Sequence, residues 1–319
     1  MCEFSSPFSK DIKDLLGYKS AAGFGTDSLQ YPLRRFDQFV VSHFPNTPIL
    51  TKEIVDAFIN DETSCGRSGI RNKLCAIRTL GRYMNSIGKN SYIIPITMIP
   101  RAKRYNPYIM SDDELRILFK QMDEMRSGHW DPMMLKGAPV MYRLIYTCGL
   151  RPGEGFWLKK RNVNFDTGEV LIEKTKKNKD RVVVMSNDMR KLLCRYRTLL
   201  ESEFPQSEYL FVNKHGKRCV ISSLQKFLTW AWRRANHHIG ICNPPRIRPY
   251  DLRHRFASVV LCKWAAEGKD IFAKLPFLRA YMGHAHISST MYYVHLLPKT
   301  LIGAKAIDWQ SLNSIYPED

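Results

Sequence analysis

The chain has 319 residues, 44% of them hydrophobic and 25% charged. That is enough apolar material for two domains, each with its own core, and it excludes a disordered or fibrous chain. Lysine and arginine total 49 against 30 acidic residues, for a formal net charge of +19. Such an excess points to a polyanionic partner, nucleic acid first, and no run approaches the ~18 apolar residues a membrane span needs.

The opening MCEFSSPFSKDIK has neither a basic leader nor an apolar run, so no secretory signal is expected. The eight cysteines are scattered without a Cys-x-x-Cys pair. This argues against a zinc site or a disulfide framework and fits a reducing cytoplasm. Residues 1–100 read as helical. Leu33, Phe36, Phe39, Val40 and Phe44 recur at helical spacing, and Thr51 is placed to cap a second helix through Ile54, Val55, Phe58 and Ile59. The clearest helix runs from Ser68 to Ile87. It buries Ile70, Leu74, Ile77, Leu80, Met84 and Ile87 and turns Arg67, Arg71, Lys73, Arg78 and Arg82 elsewhere, as a face for DNA phosphate.

Periodicity stops after Ser91. Pro95, Pro100 and Pro107 interrupt a stretch that also carries Arg101, Lys103 and Arg104, so residues 101–110 read as a basic linker along DNA. Ser111 with Glu114 matches a capping box and opens a second domain over 111–298. A buried helix from Pro139 to Cys148 is expected to end at Gly149, just before Arg151. Glu154, on the next turn, is either a structural ion partner of Arg151 or its orienting group. Strands are expected at Glu169–Glu173 and Arg181–Met185, with five cations in the connection from Lys174 to Arg181. Asn187–Leu200 and Leu224–His237 read as helices, the latter carrying Arg233 and Arg234 as further DNA contacts.

The most informative stretch is Tyr250 to His295. Arg253 precedes Phe256, Ala257, Val259, Val260 and Leu261, which suit a buried helix face. His284 follows Gly283 past a helix end, and Tyr293 lies nine positions later in a segment opened by Ser288, Ser289 or Thr290. Guanidinium, imidazole and phenol gathered in a basic chain suggest phosphate chemistry. Pro298 ends this region, and residues 299–319 form an amphipathic tail.

GHAHISSTMYYVH, with PYDLRHRFAS, CGLRPGE and KTKKNKDRVVVM, resembles the motif set of the tyrosine recombinases, or phage integrases, in the family's order over about half of the chain. The resemblance is to compact members of the Xer type or of transposons and integrative elements. It implies two domains. One is an N-terminal all-α core-binding (SAM-like) domain. The other is a C-terminal, mostly α, mixed α+β catalytic domain with a small antiparallel sheet, and the two clamp a DNA duplex. It implies Tyr293 as the nucleophile of a 3′-phosphotyrosyl intermediate and Arg151, Arg253 and His284 as phosphate ligands. Lys176 would be the acid at the leaving oxygen, with Lys174 and Lys177 as alternatives. No cofactor or metal is called for. The partner would be double-stranded DNA carrying specific sites, bound by a homotetramer that is monomer or dimer when free. Accessory proteins, a Holliday junction intermediate and a tail docking on a neighbouring subunit also fit that picture. Tyr250 departs from the family, which places His or Lys there. The acid–base work then rests on Lys176 and His284, or His254 substitutes for the missing group, although it should point about a hundred degrees away on its helix. The cation cluster is expected to lower the phenol's pKa from about 10. Rival readings are a type IB topoisomerase, a telomere resolvase, and a non-catalytic DNA binder on the same fold.

Overall fold

The computed structural model describes residues 4–62, 64–101, 105–126, 128, 130–173 and 180–294. The chain divides into two compact units, Met1–Tyr105 and Asn106–Asp319.

In the first unit four helices enclose one core: α1 (Ser9–Ala21), α2 (Asp27–His43), α3 (Lys52–Asp61) and α4 (Arg67–Ser86). The α2 apolar stripe delivers Leu33, Phe36 and Val40 to zero exposure. Phe36 meets Phe58 edge-on at 5.3 Å, and α1 adds Phe8 stacked at 6.0 Å. Thr51 caps α3, its hydroxyl accepting from Ile54 N at 3.4 Å. Asp37 is buried but satisfied, taking the backbone N–H groups of Ser5 and Ser6 at 3.0 Å each.

The second unit is mostly helical with a two-stranded antiparallel sheet among the described residues. Its helices are α5 (Asp112–Glu124), α6 (Pro132–Thr147), the single turn α7 (Pro152–Phe156), α8 (Asn187–Glu203), α9 (Ile221–His238), α10 (Pro249–Ala266), α11 (Ile271–Met282) and α12 (Ser288–Met291). The capping box at Ser111 forms, with Ser111 N donating to Glu114 at 2.7 Å. Helix α6 starts before the expected Pro139, because Asp131 caps it by accepting from Met133 N and Met134 N. Strands β1 (Glu169–Ile172) and β2 (Arg181–Val184) pair with Glu169 opposite Val184 and Ile172 opposite Arg181. Val170, Ile172 and Val183 face the core while Val182 and Val184 face outward, the period-2 pattern of a half-buried hairpin. Among the described residues no helix is long and apolar enough to cross a membrane.

The basic face of α4 divides. Arg67 and Arg82 are exposed. Arg71 and Arg78 are half-buried and donate to the carbonyls of Pro100 (2.7 Å) and Ile94 (2.5 Å), holding the segment after α4 against it. Lys73 does not belong to that face. It is buried and ion-paired with the buried Glu62, which also accepts from Arg35 at 2.9 Å. Helical spacing located Lys73 on the rim of the apolar stripe, and an acidic partner brought by the end of α3 drew it inward. Burial pulls the Lys73 ammonium down, but bonding and charge from Glu62 prevail and hold its pKa above the ordinary value. Lys73→Met should therefore destabilise the first unit by about 1–3 kcal/mol, since Arg35 still partners Glu62. Chemical denaturation will read that loss, and DNA affinity of the folded variant should be unchanged.

Candidate active site

Helix α10 opens at Pro249, with Asp251 accepting from Arg248 N at 2.8 Å. One turn in, Arg253 enters the core with zero exposure. Its Nη1 donates to Gly149 O at 2.7 Å and its Nη2 to Met282 O at 2.7 Å. Its Nε is buried with no hydrogen bond among the described residues. Gly149 is required here: its φ is +60°, and a Cβ would lie 2.3 Å from the Phe256 ring. The guanidinium is thus held by carbonyls, and no carboxylate bonds to it among the described residues.

Arg253 Nη2 also lies 2.9 Å from His284 Nε2, and His284 Nδ1 lies 2.8 Å from Thr290 Oγ1. Arginine only donates, so Nε2 must accept, and the proton of a neutral ring sits on Nδ1 facing Thr290. Thr290 has zero exposure and fixes the ring from α12. Gly283, at φ +65°, caps α11 in the left-handed conformation and turns His284 back toward α10. Burial first, then the charges of Arg253 and Arg151, push the His284 pKa down to about 3.

Tyr293 follows α12 and is 2% exposed, with its ring stacked on His284 at 5.9 Å. Burial raises its pKa, outweighing the lowering charge of Arg253. The expected acidification of the phenol by the cations is therefore not what the structure shows: burial outweighs their charge. His254 also comes close, its ring 5.4 Å from Tyr293 and 5.6 Å from Tyr250. The helical angle suggested otherwise, but Tyr293 arrives from outside α10 and packs along its flank. Burial, with the charges of Arg253 and Arg248, brings the His254 pKa down to about 4.

Arg151, at the mouth of α7, donates Nη1 to Glu154 Oε1 at 2.8 Å and Nη2 to Gly283 O. Glu154 Oε2 accepts from Arg151 N at 2.8 Å. Arg181, the first residue of β2, forks onto the same carboxylate at 2.9 and 2.6 Å. Burial pulls the Glu154 carboxyl up, but the two arginines overcome it and keep it below the usual carboxylate value.

Arg151, Arg253, His284 and Tyr293 are thus brought together, with Tyr250 at the rim and 40% exposed. Tyr292 is half-buried, its ring 6.1 Å from Tyr293. Arg101, Arg233 and Arg234 are exposed, Arg234 lying over the Trp230 ring at 5.3 Å. Lys174, Lys176 and Lys177, with Lys103 and Arg104 and the tail from 299, lie outside the described residues. Sequence reasoning missed Thr290 as the histidine's partner and counted Arg181 merely as a charge at the hairpin tip. A signal for Arg181 existed: it shares the inward strand face with Val183, where a cation needs a buried partner.

The profile of the phage integrase family matches residues 109–300. A relative in Sinorhizobium fredii with the integrase/recombinase designation y4rE is 27% identical, covering 89% of this chain and 88% of its own. The tyrosine recombinase XerD of Rhizobium meliloti is 28% identical, covering 72% and 70%. Among solved structures, the Tn1549 transposon integrase in complex with circular intermediate DNA superposes with a TM-score of 0.64 at 14% identity, covering 88% of this chain and 94% of that one. XerH bound to palindromic difH superposes at 0.60 and 19% identity, covering 89% and 79%. The chain belongs to the phage integrase family, the tyrosine recombinases.

Both buried imidazoles have pKa values below the ordinary value near ~6.5. Below that pH the unfolded chain binds protons that the native site refuses, so stability falls as the pH drops. Glu154 acts in the same direction lower down: its contribution is present above about pH 4.3 and is lost as the pH falls through its depressed folded value. Melting temperature should drop between about pH 7 and pH 5, and the drop should be shallower in His254→Phe, read by thermal unfolding of the DNA-free protein.

Proposed function

We propose that this protein is a site-specific DNA recombinase that cuts and rejoins strands through a covalent bond between Tyr293 and a 3′-phosphate. The observation that carries the reading is the buried Arg253 guanidinium. Among the described residues its terminal nitrogens bond to two carbonyls and an imidazole and to no carboxylate, its Nε has no hydrogen bond, and the Tyr293 phenol interacts with it. A buried cation without a bonded anion is costly, and a phosphate oxygen is the guest that suits it.

Arg151 and Arg253 bind the non-bridging oxygens. Glu154 neutralises one of the two cations it contacts, Arg151 and Arg181, which leaves net positive charge for the phosphate. A bound phosphate reverses the electrostatics at His284 by raising its affinity for a proton, and a protonated imidazole then donates to the same anion. Tyr293 Oη attacks phosphorus as its proton passes to the imidazole of His284, the bond to the 5′-oxygen breaks, and the Lys176 ammonium gives that oxygen its proton. The phosphotyrosyl bond keeps the energy of the broken ester, so a 5′-hydroxyl from a partner strand reseals without an external energy source. Repeated on paired sites in a tetramer, this exchange passes through a Holliday junction. Arg67, Arg82, Arg101, Arg233 and Arg234 provide the exposed cations for backbone contact.

The test uses nicked duplexes from DNA flanking the protein's own gene, in EDTA, with denaturing electrophoresis to find a protein–DNA adduct. Wild type and Tyr292→Phe should form it, and Tyr293→Phe should not. Arg253→Lys should slow it by about 100-fold or more while duplex binding persists. An adduct retained by Tyr293→Phe would move the nucleophile elsewhere. Separately, Arg67→Ala and Arg82→Ala should each lower the slope of log affinity against log salt by about one.

A further inference from the structure

We propose that Arg181 is a positioning residue that locks the root of the β1–β2 hairpin onto the Arg151–Glu154 turn, so that the hairpin's proton donor is held against a phosphate that Arg151 and His284 grip through contacts of their own. The inference rests on the proposed reading of the hairpin connection, residues 174–179, as the source of the leaving group's proton.

Arg181 is 9% exposed at its side chain and Glu154 13%. The fork to Glu154 uses both terminal nitrogens, and Nε donates to Tyr281 O at 2.9 Å. With all three nitrogens engaged, Arg181 is not built to bind phosphate itself. Its side chain lies over Gly283, where a Cβ would come within 3.0 Å of Nη1. Three parts of the site therefore meet at one guanidinium. The hairpin enters through Arg181 itself. The arginine turn enters through Glu154, which also takes the Arg151 N–H and Nη1. The histidine turn enters through Tyr281 O and Gly283, whose carbonyl accepts from Arg151 Nη2.

The consequence is geometric. Arg181 pairs with Ile172 across the hairpin, so fixing Arg181 fixes both strands at the point where the 174–179 connection leaves them. A proton donor in that connection has to come within hydrogen-bond reach of one oxygen of a phosphate that Arg151 holds. A lysine at 181 would keep only part of the lock, because a single ammonium can pair with Glu154 but cannot fork onto it and reach Tyr281 O in the same plane.

The experiment compares two nicked duplexes, one ordinary and one with sulfur in place of the bridging 5′-oxygen at the cleavage point. In the first, the P–O bond breaks and the oxygen takes a proton. In the second, the P–S bond breaks and a thiolate leaves with its electron pair, needing no proton. Arg181→Met should form the Tyr293 adduct about 100-fold more slowly than wild type on the ordinary duplex and near the wild-type rate on the sulfur duplex, the same split as Lys176→Ala. Arg181→Lys should show the split in weaker form, which covers the case that Arg181→Met does not fold. Equal slowing on both duplexes would reduce Arg181 to a general structural role and overturn the inference, as would an undiminished rate on the ordinary one. A wild-type protein that forms no Tyr293 adduct on either duplex would remove the underlying reading as well, so the two failures are distinguishable.

Discussion

Taking a guanidinium out of water costs several kcal/mol, and the second unit is arranged around offsetting part of that cost at Arg253 through its terminal nitrogens. The partners come from ends, not middles, of other helices. The carbonyl of Gly149 stands just past α6 and that of Met282 at the last residue of α11. Helix ends carry carbonyls without intrahelical partners and the negative pole of the helix, which is what a buried cation needs. Both following glycine-bearing turns then release functional residues: Arg151 after the first, His284 after the second. The position of one buried side chain thus aligns α6, α10 and α11 and aims the turns that leave them.

The charge arrangement follows from the same burial. Arg151 and Arg181 share one carboxylate, Glu154, and Arg253 bonds to none among the described residues, so the low-dielectric pocket stays positive. That residual field, together with desolvation, keeps both imidazoles neutral, while at Tyr293 burial outweighs the same field and raises the phenol's pKa. On the proposed reading, a phosphate would supply negative charge where these donors point, and burial would strengthen those contacts.

The first unit obeys simpler rules. An aromatic core of Phe8, Phe36, Phe39 and Phe58 sets the packing of α1 to α3, and α4 lies across it with its polar side outward. Of the five cations expected along α4, only Arg67 and Arg82 are fully open to solvent. Arg71 and Arg78 bind down the chain that leads out of the unit, and Lys73 neutralises a buried glutamate. The stability of the fold thus draws on a run of basic residues that the sequence alone suggests as a face for phosphate.

Local physics made much of this legible. Helical spacing placed α2 and α4, side-chain oxygens at Thr51 and Ser111 marked helix starts, alternation marked the hairpin, and a glycine before His284 marked the end of α11. Each depends on residues within a turn or two of one another, so the sequence by itself determined the helices, the hairpin, the caps and the order of the site residues. What the tertiary structure decided are pairings across long separations. Arg181 reaches Glu154 from 27 residues away and Arg151 reaches Gly283 from 132, while Lys73 turns inward to Glu62 and Tyr293 packs beside His254. A charged side chain at the edge of an apolar stripe has the same local pattern whether it faces water or a buried carboxylate. Only the packing of other elements against it settles which, because the partner that offsets its desolvation arrives from a distant part of the chain.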